Sequence, residues 1–279
     1  ASSTGTLIAP MVAQVRQALR REERGSRIAG QLHYRQEGDR WSFVVPEARL
    51  RGGSGASLLE LSRFQVTGEP QGLPRIAGNF ATGGVGLPRI EGVMEHGAAG
   101  GALFRLTMAE YHAGGGALAF PQMSLAQVSD GSLGFSGTAR LSGAIPGGSA
   151  RNLELPVQGA FSARGELALY RHCITPRFDG LTLGEMVLDG RAITVCPQSG
   201  GAIVRNGAGG LRVALGVPAL ALTGRLGETP LRIQSGPVGF AWPGTVTARA
   251  LDVALGPPEE ATRFHLADLT ARAGKDFAG

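Results

Sequence analysis

From about Leu58 onward the chain is a run of short alternating segments separated by glycine, with no convincing helical pattern between them. Leu133-Gly-Phe135-Ser-Gly137-Thr-Ala139-Arg-Leu141-Ser-Gly143-Ala-Ile145 shows the pattern most fully: odd positions are apolar or small, even positions mostly polar or small. In a strand this period of two sends every apolar side chain to one face. A sheet with one apolar face must bury it against another layer, and no helices follow to supply one. What covers that face is therefore the functional question.

Glycine is abundant, at 45 of 279 residues, but follows no Gly-X-Y period, so a collagen-like helix is excluded. The glycines fall mainly between apolar pairs, where turns and bulges need them. Aromatics make up only 6% of the chain. A face built from Leu, Val, Ala and Gly is smooth, unlike the aromatic platforms that stack on sugars or bases. The net charge is +5, yet Lys275 is the only lysine and the arginines are scattered singly. Nucleic-acid binders carry a basic stripe or patch, so no nucleic-acid partner is expected.

One helix is expected near the start, over residues 6–25. Leu7, Met11, Val12, Val15 and Leu19 fall at helical spacing, Thr6 is a candidate N-cap and Gly25 a stop. Arg16, Arg20, Arg21, Arg24, Glu22 and Glu23 give it a wet face. It reads as a helix packed on the end of a sheet, with a membrane-surface helix as the alternative. Strands follow at Ile28–Arg35 and Trp41–Val45 around a turn at Glu37-Gly-Asp39. Between Leu61 and Phe64 the alternation slips, as a bulge would cause. Gly72-Leu-Pro-Arg-Ile76 recurs as Gly86-Leu-Pro-Arg-Ile90, a 14-residue echo read as two strands and two turns of a meander. Further strands are placed through to Leu269–Ala271, Leu181–Leu188 among them. No linker divides the series, so residues 1–279 are expected to form a single elongated all-β segment.

Motifs that carry chemistry are missing. Gly114-Gly-Gly116-Ala-Leu-Ala119 satisfies G-x-G-x-x-A, but Phe120-Pro121 follows where a dinucleotide site needs a helix, so a turn is expected. G-x-S-x-G, the P-loop and H-E-x-x-H do not occur. The five histidines are dispersed; Glu110-Tyr-His112 reads as a polar pair and Glu259-Glu260 as an exposed turn. No catalytic residue, metal site or cofactor is expected. Cys173 and Cys196 lack metal-ligand spacing. A disulfide between neighbouring strands, implying an oxidising compartment, is the simplest reading, and two free core thiols are the other. The chain has no signal-peptide pattern and no run of 18 apolar residues. It is expected to be a segment of a longer exported protein whose anchor lies outside it.

The second half carries a resemblance. Leu169-Tyr-Arg-His-Cys173, Arg177-Phe178, Cys196-Pro197 and Gly201-Ala-Ile-Val204 begin it. Leu222-Thr-Gly-Arg-Leu226, Gly236-Pro-Val-Gly-Phe-Ala-Trp-Pro-Gly244, Leu251-Asp-Val-Ala-Leu-Gly-Pro-Pro258 and Thr262-Arg-Phe264 continue it. These phrases resemble the YdbH-like proteins of Gram-negative bacteria, within the AsmA-like group that includes TamB, best over residues 100–279. The resemblance implies a long antiparallel sheet curled into a U-shaped, taco-like groove across the periplasm. Phospholipids or other acyl lipids would be its cargo, passing between the inner and outer membranes. Contact with both membranes, and with an outer-membrane lipoprotein, would run through regions outside this chain, including an inner-membrane anchor. The periplasm also permits the disulfide.

On this reading, function is spread over a lining. Candidate groove positions are Phe104, Leu106, Met108, Phe135, Leu141 and Ile145, then Leu153, Leu155, Val157, Leu211, Val213, Leu215, Leu251, Val253 and Leu255. Each is equally suited to an ordinary β core. The alternatives are a structural or adhesive β-solenoid, whose coils cover their own faces, and an enzyme acting on envelope polysaccharide, for which clustered carboxylates and exposed aromatics are scarce.

Overall fold

A computed structural model describes residues 8–69, 74–96, 101–127, 130–198 and 200–273. Among the described residues are one helix and 21 strands in a single antiparallel sheet. Two units, Ala1–Arg140 and Leu141–Gly279, divide the chain.

In the first unit, α1 (Ile8–Glu23) precedes β1 (Arg27–Gly30), β2 (His33–Glu37), β3 (Arg40–Arg51) and β4 (Ser57–Gly68). Then come β5 (Arg75–Thr82), β6 (Ile90–His96), β7 (Ala102–Ala113) and β8 (Gly116–Gln127). The division between units falls inside β9 (Leu133–Ile145). From β3 to β8 each strand pairs with the next, while β1 and β2 both pair with β3. The G-x-G-x-x-A stretch is a two-residue hairpin turn: Ala113 pairs with Gly116 across Gly114 and Gly115, both at positive φ.

Strand phase breaks at matched places. Arg63 has φ 51°, and the β4–β5 register shifts between Ser62 and Gln65, where the sequence predicts a bulge. Pro46 breaks β3 alongside it, and the expected Ile28–Arg35 strand is split at Gln31–Leu32. A bulge in one strand alone would turn its apolar residues to the wrong face. Breaking neighbours together keeps Val45 and Ala48, or Phe64 and Leu61, on one face.

α1 lies over the turn ends of this unit. Pro10 fits the first turn, where its missing N–H costs nothing. Met11, Ala18 and Glu22 are its buried positions. Gln14 Nε2 donates to the His112 carbonyl at 3.1 Å, and the Ser54 backbone N–H donates to Glu22 Oε2 at 3.1 Å. The sequence placed Glu22 on the wet face; it is buried because its carboxylate holds the turn after β3. The candidate cap Thr6 lies outside the described residues.

The second unit continues with β10 (Gly148–Phe161), β11 (Leu167–Leu169), β12 (Arg177–Leu183) and β13 (Met186–Ala192). Next come β14 (Cys196–Pro197), β15 (Val204–Gly207), β16 (Gly210–Val217) and β17 (Leu220–Leu226). β18 (Thr229–Ser235), β19 (Val238–Trp242), β20 (Gly244–Leu255) and β21 (Thr262–Ala273) complete it. Pro218 and Gly236-Pro237 interrupt two long strands into β16/β17 and β18/β19, and Ala250 breaks the phase of β20 at φ 48°. Leu181–Leu188 is two strands rather than one: Leu183 pairs with Met186 across Gly184, whose positive φ makes the turn.

The cysteines form a disulfide, Cys173–Cys196, with Cα atoms 4.0 Å apart. It staples the open end of the β12–β13 hairpin, next to the Ile174–Val195 bridge, whose two N–H···O bonds measure 2.8 Å. The 14-residue echo covers one strand and one turn, not two of each. Arg75 opens β5 and Ile90 opens β6, with Gly86–Arg89 as the connection; Gly72 and Leu73 lie outside the described residues.

Candidate functional site

Cross-strand register builds the candidate site. In the first unit, Ala48, Leu61, Phe80, Gly92, Leu106 and Met123 are successive partners on β3 to β8 and form one transverse apolar row. A parallel row holds Val45 and Phe64, then Gly78, Met94, Phe104 and Leu125. A Cβ on Gly78 would lie 3.2 Å from the Phe64 Cβ, so the row closes up over glycine. A third row brings together Leu50 and Leu59, and Ile90, Met108 and Phe120. Between the first two rows, on the opposite face, run Glu47, Ser62, Asn79, Val93, Arg105 and Ser124. That face carries ion pairs such as Arg105–Glu95 at 2.8 Å, worth at most about 1 kcal/mol each when exposed.

The apolar face of this unit is not closed. Leu61, Phe80, Leu106 and Met123 are half-buried. A cavity of about 510 Å³ across β3 to β8 lies on the opposite face, where Glu60, Ser62, Asn79, Arg105, Thr107 and Ser124 flank the strands beneath this row. Its volume is in the range of small-molecule sites. Apart from Ala139 on β9, the buried apolar side chains of the described sheet in this unit lie near the helix, where Met108, Tyr111 and Ala113 are buried and the Tyr111 hydroxyl donates to the Gly86 carbonyl at 2.8 Å. No large side chain is fully buried anywhere among the described residues.

The second unit carries similar rows. Ala150, Leu181, Leu188, Gly224, Leu231 and Leu255 are successive partners on β10, β12, β13, β17, β18 and β20. Leu222, Ile233, Val253 and Phe264 form the next. Phe178, Leu188 and Leu222 make a small packed cluster joined by Leu153, Leu181 and Ile233. A Cβ on Gly224 would sit 2.1 Å from the Val187 carbonyl oxygen, so β13 and β17 approach closely there.

Of the expected lining positions, Phe104, Leu106, Met108, Val253 and Leu255 fall in these rows. Phe104, Leu106 and Met108 share the first unit's apolar face. Phe135, Leu141 and Ile145 are half-buried on the odd-numbered face of β9, with Ala139 buried between them. On β10, Leu153, Leu155 and Val157 are half-buried, in phase with each other but out of phase with Ala150 because Asn152 stands at φ 48° between them. Leu215 pairs with Phe240 and Val213 with Trp242. Leu251, Val253 and Leu255 pair with Leu266, Phe264 and Thr262 on β21. Leu211 stands apart, 46% exposed and opposite Asn206. The sequence reading left out Leu61, Phe80, Met123, Leu181 and Leu231. Their signal was there, as period-two leucines and phenylalanines, but register alone decides which strands share a row.

Titratable groups assemble no reaction centre in the described residues. His112 Nε2 and Glu110 Oε1 lie 2.8 Å apart along one strand, and His265 Nδ1 meets Asp252 Oδ1 at 2.6 Å; both pairs are exposed. Burial pushes the Tyr170 phenol above its ordinary range, and hydrogen bonds from Ser132 hold the Asp130 carboxyl below its own. No group of three metal-ligating side chains occurs among the described residues, and no helix there is long and apolar enough to cross a membrane.

Fold and surface define a class: an antiparallel meander that presents a one-sided apolar face. The chain belongs to the YdbH-like family, whose model, described as intermembrane phospholipid transport protein YdbH, matches residues 1–278. That family is one of lipid transport, not of enzymes. The chain finds no match among curated proteins or solved structures.

Proposed function

We propose that this chain is a periplasmic segment of a bridge-like lipid transport protein whose apolar sheet face carries phospholipid acyl chains between the inner and outer membranes. The observation that carries this reading is the first unit's apolar rows, whose Leu61, Phe80, Leu106 and Met123 stay half-buried instead of lying under a packed layer. Each CH2 moved from water onto such a face gains about 0.8 kcal/mol. Aliphatic rows can therefore hold a chain without polar specificity and let it slide from row to row. Headgroups stay in water at the rim. Residues outside this chain supply the inner-membrane anchor and the contact with an outer-membrane lipoprotein.

An adhesive or scaffolding β-solenoid draws no support from the pairing, because solenoid coils stack in parallel and the described strands pair antiparallel. The test is lipid extraction and native mass spectrometry of the chain purified from a Gram-negative envelope. Co-purifying phospholipid, displaced when Leu106→Glu and Met123→Glu are introduced together, is the expected result. A chain that never carries phospholipid refutes the proposal.

A further inference from the structure

The helix has two apolar stripes, and only one of them packs on the sheet. At roughly 100° per residue, Met11, Ala18 and Glu22 share the arc turned to the protein, and all three are buried. Ile8, Val12 and Leu19 share a neighbouring arc and are 63%, 40% and 49% exposed. Beyond them on the same outward side follow Arg16, Arg20 and Arg24, all exposed, with Glu23 as the one acidic side chain among them. None of these arginines has an ion-pair partner among the described residues. Some arginines of the sheet are paired, by comparison: Arg35 lies 3.0 Å from Glu37, and Arg89 lies 2.8 Å from Glu91.

From this exposed apolar stripe with arginines beside it we infer that α1 docks the first unit on the surface of an anionic phospholipid bilayer. Ile8, Val12 and Leu19 enter the headgroup–acyl boundary, and Arg16, Arg20 and Arg24 meet lipid phosphates beside them. An apolar stripe flanked by arginine is the pattern of a helix lying in a membrane interface, and guanidinium groups suit phosphate in geometry as well as charge. The packed stripe fixes the helix to the sheet, through Gln14 and Glu22, so docking needs no folding step. This binding is separate from acyl-chain carriage and stands whether or not the sheet face carries lipid.

Vesicle flotation of the whole chain tests it, with phosphatidylcholine vesicles with and without phosphatidylglycerol. Binding is expected only with phosphatidylglycerol, and to fall at high salt as the screening length drops to about 3 Å at 1 M. Arg16→Gln with Arg20→Gln is expected to weaken it about 30-fold, each cation near an anionic surface counting for about 1 kcal/mol. Val12→Glu with Leu19→Glu is expected to abolish it, and Leu106→Glu to leave it unchanged. Circular dichroism confirms that the variants fold, and the arginine pair touches no packed position. The inference is overturned if phosphatidylglycerol vesicles are not bound. It is equally overturned if both helix variants bind like the parent, or if Leu106→Glu alone abolishes binding.

Discussion

Truncating one leucine in each unit separates an open face from an ordinary core. Leu→Ala removes three carbons, worth about 2.4 kcal/mol if all leave an apolar site for water. Leu188 is 4% exposed and packed against Phe178 and Leu222. Its loss also leaves a void, so Leu188→Ala should cost about 3 kcal/mol. Leu106 is half-buried on a face that no packed layer closes. Truncating it removes about half the transfer term and creates no new void, so Leu106→Ala should cost about 1 kcal/mol. Guanidinium unfolding of the lipid-free chain, with unchanged m-values, measures both. A Leu106→Ala cost equal to that of Leu188→Ala would mean that the first unit's face is a closed core, and the reasoning from its half-buried rows fails.

Three further outcomes are expected. Gly224→Ala should cost more than about 2 kcal/mol, as a misfit of this kind costs in packed sites, because the added Cβ meets the Val187 carbonyl at 2.1 Å; thermal unfolding reads this, and a neutral effect contradicts the register. Glu22→Ala should cost about 1 kcal/mol by removing the acceptor of the part-buried Ser54 hydrogen bonds, and hydrogen exchange should show residues 8–23 opening before the sheet. Burial raises the folded-state pKa of Tyr170 above its ordinary 10.0, so the fold favours the neutral phenol. The unfolded chain ionises first, and stability should fall as pH rises from about 10 toward the folded value. Tyr170→Phe should flatten that slope in alkaline unfolding curves.

The sequence carried the period of this fold better than its breaks. Alternation from Leu133 to Ile145 marks a strand face correctly because side-chain direction in a strand is a local property. The slip between Leu61 and Phe64 was legible for the same reason, and Arg63 realises it. Turns made by a single glycine were not: Gly184 sits in a run of alternating residues that looks like one continuous strand. Which rows form depends on pairings between residues far apart in sequence, such as Leu188 with Gly224, and no local pattern encodes them. Glu22 misled for a related reason. Its helical position is consistent with solvent, and only the distant Ser54 turn draws it inward.

Site-resolved photo-crosslinking decides most directly what covers the apolar face. A photoreactive side chain is placed in turn at Leu106 and Met123, partners in an apolar row, and at Arg105 and Ser124, partners on the opposite face. Phospholipid adducts at Leu106 and Met123, with none at Arg105 or Ser124, are the predicted result. Adducts confined to other parts of the protein at Leu106 and Met123, or equal lipid labelling of both faces, would contradict it.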